Sequence, residues 1–360
     1  MSKAALMTPQ QSVEPRPGTP RGGHSADMAR RFLGGLRQVA LLPVIGVLII
    51  VGSVINSHFF DINNFTEIGQ FSSSLGLVVV GESLVLLTGG MDLSLESTYG
   101  LAPMVAAWTI LSSNLFGAGI MLSPYLALLV LLAVGATVGM ANGLLIVKGK
   151  LNGFIVTLGM TILLYGLQDG MVSDQSLFGL PPPFTYLGSA YVFRASGSGT
   201  GGIPVSLVVA AAVFVIVGLF LRYHRVGRAI YAVGGNREAA RAAGIKVDRI
   251  RIGVYVAAGV LAAVGGLMEA GQTSQVSTLQ GYPEGVIFPV FAAAVIGGVS
   301  LQGGRGNMLG AATGVILLGI VTNILNISQV SNYWIFAVQG GVILAALVLA
   351  RIIGGRAAAE

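Results

Sequence analysis

The chain has 360 residues, of which 54% are hydrophobic, only 9% are charged and 53 are glycine, with a formal net charge of +6 and no cysteine. So low a charged fraction, against ~25% in soluble domains, excludes an ordinary water-soluble globule, and the missing cysteines exclude disulfides, thiolate metal sites and cysteine nucleophiles. The basic balance, with a pI near 9.7, sits beside apolar runs, which points to a membrane surface rather than to nucleic acid.

Residues 1–30 are rich in Pro, Gly, Ser, Thr and Gln and read as disordered. Together with 31–37 they form a basic cytoplasmic tail, in which MARRFLGGLR (28–37) suits a short helix lying on the membrane. The first apolar run begins near Val39, too late for a cleaved signal peptide. From 38 to 352, roughly 20-residue apolar windows give about ten candidate spans. They centre near Leu48, Val79, Val105, Val134, Gly159, Ala212, Val260, Phe291, Val315 and Gly341. The third, fifth and eighth are weak, short or glycine-rich, so the expectation is ten spans, or eight with a pair that is broken or re-entrant. Alternating from a cytoplasmic N-terminus puts every Lys and Arg except Arg194 inside, so both termini are expected in the cytoplasm. Residues 353–360 form the C-terminal tail. The outer segments carry Asp61, Glu67, Asp174 and Glu284, and the longest outer loop, 173–202, contains PPP (181–183) and GSGTGG (197–202).

The long polar interruption from Arg222 to Arg251 holds eight of the chain's 20 Lys and Arg against Glu238 and Asp248. Asn236 has the side-chain oxygen to cap a short helix, and Gly244 can end it in the left-handed conformation. Between them, Arg237 and Arg241 share a face at i,i+4 and Glu238 reaches Arg241 at i,i+3. The result is a cationic cytoplasmic loop with a small stiff helix at its tip; on charge alone it is a solvated loop obeying the positive-inside rule.

Two glycine pairs end spans running inward: LLTGGMDLS (86–94) and VIGGVSLQGGRG (295–306), carrying Gly89, Gly90, Asp92 and Ser94, and Gly297, Gly298, Gly303 and Gly304. Paired glycines allow a sharp turn or close helix approach, and Asp92 is placed to cap the next helix. The similar polar turns that follow read as a faint internal repeat. Glu82 is the one carboxylate well within an apolar run, and such residues face a cavity or a partner; it either lines a polar path or is hydrogen-bonded between helices. No G-x-x-x-x-G-K-[ST] phosphate loop, serine–histidine–acid set or His-Glu-x-x-His pair occurs, so the chain is read as non-catalytic. His24, His58 and His224 have no ligand spacing, and no metal is expected.

GGMDLS, NGFIVTLGMT (152–161), GGNREAARAAGI (234–245) and AVIGGVSLQGGRGNMLGAATG (294–314) occur in this order. Together they resemble the membrane permease subunit of bacterial ABC importers of the ribose type, over roughly residues 40–350. The resemblance implies an all-α polytopic permease of the bacterial plasma (inner) membrane that carries a simple sugar or related neutral polar solute. It implies an ATP-hydrolysing subunit, a periplasmic or lipid-anchored binding protein and a second permease copy as partners. No cofactor would be bound by this chain, since ATP and Mg would sit on the ATPase. It further implies that Asn236, Arg237, Glu238, Ala239, Ala240, Arg241 and Gly244 form the coupling contact with that ATPase. Glu96 stands where the family usually has glycine, and 285–298 is more apolar than the usual acid-containing version. Ser72, Ser73 and Ser74, and the run GQTSQVSTLQ (271–280) with Gln272 and Ser274, sit at outer span ends; they are candidates for solute entry, with interfacial solvation as the alternative. The rival class is an ion- or proton-coupled secondary transporter, which needs buried ionisable groups on its path; Glu82 qualifies, with Glu269 and Asp169 near span ends.

Overall fold

A computed structural model describes residues 41–173, 175–193, 202–277, 285–331, 334–341 and 344. The tail 1–37 with its expected surface helix, Asp174, Arg194, Glu284, nearly all of 197–202, residues 278–280 and the tail 353–360 lie outside them.

The described chain is almost entirely helical. In order it forms α1 (Leu42–Ile55), α2 (Ile62–Leu87), α3 (Leu95–Ile110), α4 (Pro124–Val147), α5 (Gly153–Val172), α6 (Pro182–Ser189), α7 (Val205–Tyr223), α8 (Arg225–Gly235), α9 (Arg237–Ala242), α10 (Val247–Thr273), α11 (Ile287–Ile296) and α12 (Met308–Ile327). A short antiparallel pair, β1 (Tyr191–Val192) and β2 (Ile203–Pro204), lies between α6 and α7, and residues 334–341 are helical again. Local chemistry sets the boundaries. Pro124 opens α4, where its missing N–H costs nothing. Asn152 accepts from Ile155 N–H at 3.3 Å and Asn307 from Gly310 N–H at 2.7 Å, starting α5 and α12.

Among the described residues six helices, α2, α4, α5, α7, α10 and α12, are long and apolar enough to cross a membrane, and α1 and α11 are shorter apolar helices. The chain is therefore an all-α, multi-pass membrane protein. Of the three segments expected to be weak, α5 is a regular 20-residue helix. The other two are short: α3 has 16 residues with Pro103 inside it, and α11 has 10 and stops at the Gly297–Gly298 pair.

The most apolar spanning helix, α7, is the least covered, with 17% of its span buried against 89% for α2. Alpha-2 forms the centre, packed by α7, α10, α11 and α12; α10 in turn packs on α3, α4 and α6. Small residues make these contacts close. A Cβ added to Gly135 of α4 would lie 2.5 Å from the Gly259 carbonyl oxygen of α10, so the two helices meet backbone to backbone. The C-terminal end of α2, α8–α9 and the α11–α12 turn gather at one end of the bundle. Alpha-6 and the Leu177–Val276 bridge lie with the N-terminal half of α2, where Gln70 Nε2 donates to Gly188 O at 3.2 Å.

Candidate functional site

Alpha-9 is defined by caps at both ends. Asn236 is extended, and its Oδ1 accepts from the N–H groups of Glu238 and Ala239, both at 2.9 Å. Gly244 has φ +80. Ile245 N–H donates to Ala240 O and Gly244 N–H to Arg241 O, each at 3.0 Å, the paired bonds of a Schellman ending. Beneath it Ala240 is buried with Val233 and Val247. A helix too short to persist alone is thus held by its ends and by one buried face.

Its two arginines do different things. Arg237 turns inward, and Nη2 donates to Gly89 O at 2.8 Å and Thr88 O at 3.3 Å. These carbonyls follow the last residue of α2, where a cation suits the helix dipole. Arg241 turns outward, with Nη2 3.5 Å from Asp248 Oδ1, while Lys148 Nζ stands 2.7 Å from Asp248 Oδ2. Sequence spacing pairs Arg241 with Glu238; its ion pair is instead with Asp248, because the reversal at Gly244 returns the first turn of α10 to its side. This surface trio is solvated and contributes about 0–1 kcal/mol per pair.

Arg237 marks the edge of a glycine joint. Gly304 N–H donates to Leu87 O at 2.9 Å. A Cβ on Gly234 would stand 1.8 Å from Leu87 O and 2.5 Å from Gly304 N; one on Gly303 would stand 2.8 Å from Gly89 N. Gly89, Gly303 and Gly304 all have positive φ, at +69, +87 and +70, which glycine adopts without strain. Tyr231 of α8 donates its hydroxyl to Gly306 O at 2.9 Å. Burial raises the pKa of that phenol, so it stays a donor. Two glycine turns and the loop bearing α9, separated by long stretches of sequence, therefore meet in one place. Of the turn glycines, Gly90 lies under the Tyr255 hydroxyl, Gly297 packs on Gly310, and Gly298 has open space around it.

Behind the first turn lies a buried polar cluster. Asp92 Oδ1 accepts from Ser94 N–H at 3.0 Å, Ser94 Oγ at 2.7 Å and Asn142 Nδ2 at 3.3 Å. Ser94 rather than Asp92 holds the cap position of α3, so Asp92 stiffens the turn instead of capping the helix. Glu82 is fully buried and faces the same turn, where its Oε1 accepts from Asp92 N–H at 3.4 Å. Tyr255 donates to Met91 O at 3.5 Å. Asn142 belongs to none of the motifs read from the sequence. An asparagine in the apolar run VGMANGLLIV is the signal that could have marked it, but nothing in the run names its partner.

The solute-entry candidates lie elsewhere on the bundle. Ser72 and Ser73 are buried in the middle of α2, and Ser73 Oγ donates to Gly69 O at 2.5 Å. Gln272 Nε2 donates to Gln70 O at 2.9 Å, tying α10 to α2, while Ser274 is exposed with φ +56. Glu96 is buried and accepts from Val286 N–H at 3.0 Å and Ile287 N–H at 3.4 Å, at the start of α11. Glu269 accepts a hydrogen bond from Tyr99 OH. Among the described residues no three His, Cys, Asp or Glu group as a metal site would need.

Residues 64–347 match the family described as branched-chain amino acid transport system / permease component. The ribose import permease protein RbsC of Escherichia coli K12 is 36% identical over 315 residues, covering 87% of this chain and 93% of the relative. RbsC of Bacillus subtilis is 35% identical over 328 residues, covering 90% and 96%. The D-allose transport system permease protein AlsC of E. coli K12 is 32% identical over 308 residues, covering 85% and 89%. No solved structure matches the chain.

Proposed function

The chain belongs to the family of branched-chain amino acid transport system permease components, and from that premise we propose that it is the membrane permease subunit of an ATP-driven importer for a simple sugar. The full-length relatives are named for ribose, galactose and allose, which favours a sugar over the amino acids of the family description.

In this reading about ten helical spans place both termini in the cytoplasm of a bacterial plasma membrane. A separate ATPase, carrying ATP and Mg, acts on α9; a binding protein delivers solute to the outer face; and two permease copies enclose the path. The observation that carries the reading is the stiff, double-capped α9 with its exposed Arg241 face. The test is uptake of labelled ribose, galactose and allose, with ATPase recovery, on membranes at matched permease levels. Arg241→Glu should lower ATPase recovery by weakening a charged rim, and Gly244→Val should misdirect α9 through a strained left-handed cap. Both should insert normally and lose uptake. Wild-type rates in both variants would make 236–244 an ordinary solvated loop.

A further inference from the structure

We propose that Arg237 works inside the permease as a positioning residue. It locks α9 to the C-terminal end of α2, so that the joint of Gly89, Gly234, Gly303 and Gly304 moves both glycine turns together. The inference rests on α9 being the helix that the ATPase moves. Resemblance groups Arg237 with the ATPase contacts, but its guanidinium is engaged at Gly89 O and Thr88 O of its own chain.

Three features make this contact a strut. Its acceptors lie at the negative end of α2, and a single nitrogen, Nη2, donates to both carbonyls from a rigid planar group that reaches one atom further than a lysine side chain. The surrounding contacts are backbone on backbone: Gly304 N–H on Leu87 O at 2.9 Å, and Gly234 with no room for a Cβ beside Leu87 O. No side chain stands between them to change rotamer, and close-packed interiors pass on displacement with little slack. Finally, the joined turns connect α2 to α3 and α11 to α12, so one displacement of α9 reaches all four helices, including the central one. Alpha-9 thus has an outer face, Arg241 beside Asp248 and Lys148, offered to a partner, and an inner face that transmits.

The experiment compares Arg237→Ala, Arg237→Lys and Arg241→Glu in the assembled transporter, with permease abundance, ATPase recovery and ribose taken up per ATP hydrolysed as readouts. Arg237→Ala should keep ATPase recovery near wild type while uptake per ATP falls roughly two- to thirty-fold, the range of residues that carry coupling. Arg237→Lys should fall between, since it keeps the charge but its ammonium ends one atom short of the place that Nη2 reaches. Arg241→Glu should lose recovery first. If Arg237→Ala loses recovery in step with uptake, Arg237 is an interface contact and the proposal is overturned; unchanged uptake per ATP overturns it as well. Should Arg237→Ala fail to accumulate, Arg237→Lys decides alone, and wild-type coupling in it defeats the strut. If instead no ATPase is recovered even with the wild-type chain, it is the reading of α9 that fails.

Discussion

The two glycine turns reach the same joint by different chemistry. The first, after α2, is held by side chains: Asp92 gathers Ser94 and Asn142, and Glu82 receives the Asp92 N–H, all in a fully buried pocket. The second, after α11, is held mainly by its own backbone. Ser300 N–H donates to Arg305 O at 2.9 Å, Gly303 N–H to Ser300 O at 3.1 Å, and Gln302 N–H to Ser300 Oγ at 3.2 Å. A side-chain-held turn fails when an acceptor is removed, because buried donors are stranded. A backbone-held turn fails when a Cβ is added, because there is neither room nor the right φ.

Removing the central acceptor should have the largest effect. Asp92→Ala strands the Ser94 N–H and the Ser94 hydroxyl, while the Asn142 amide keeps its bond to Ser94 Oγ at 2.6 Å, and a buried unsatisfied donor costs ~1–3 kcal/mol. A loss on the order of 3 kcal/mol in thermal unfolding of the purified permease is expected, allowing for partial rearrangement. Asp92→Asn keeps one acceptor oxygen and should cost about a third of that. If the two variants destabilise equally, charge rather than hydrogen bonding holds the turn.

What the sequence discloses follows from what a single stretch can contain. Asn236 and Gly244 are legible as caps because both ends of α9 are written within nine residues of chain. Spans are legible because lipid contact demands an apolar surface, and α7 shows this most plainly. The glycine joint was not legible. It forms between main-chain atoms of Leu87, Gly234 and Gly304, and glycine carries no side chain that could announce its partner. The partner of Arg241 is hidden for a related reason: spacing favours Glu238 only while the helix is considered alone. The buried pocket behind the first turn needed Asn142, whose approach to Asp92 depends on α4 packing closely along α10.

The second turn supplies the middle effect. Gly304→Val forces a β-branched residue to φ +70, with its Cβ 2.7 Å from Gly235 N. Left-handed backbone costs ~1–2 kcal/mol before any clash, so about 2–3 kcal/mol is expected, with uptake falling further than stability because the joint is displaced. Gly235→Ala is the control, since no atom lies within 4 Å of a Cβ there; it should change stability by less than ~0.5 kcal/mol. Equal effects at 304 and 235 would mean that close approach does not govern this joint.

The smallest effect should come from Glu82→Gln, although Glu82 is as buried as Asp92. Glu82 serves the turn through one oxygen, Oε1, at a long 3.4 Å from Asp92 N, and its Oε2 has no hydrogen-bond partner among the described residues. Glutamine keeps an acceptor oxygen for the Asp92 N–H and removes an acid from the neighbourhood of a second carboxyl. Its new amide donors need an acceptor in a pocket that already holds several oxygens. Relief of that crowding and the search for an acceptor offset one another, so the net change should stay within about 1 kcal/mol. Transport should survive at a reduced level, since an importer driven by ATP requires no titrating carboxylate in its membrane interior. The measurement is uptake by Glu82→Gln at matched abundance, with and without collapse of the proton gradient. Abolished uptake in a stably folded variant, together with wild-type uptake that vanishes when the gradient collapses, would make Glu82 an ion-coupling group and separate it from the turn that Asp92 holds.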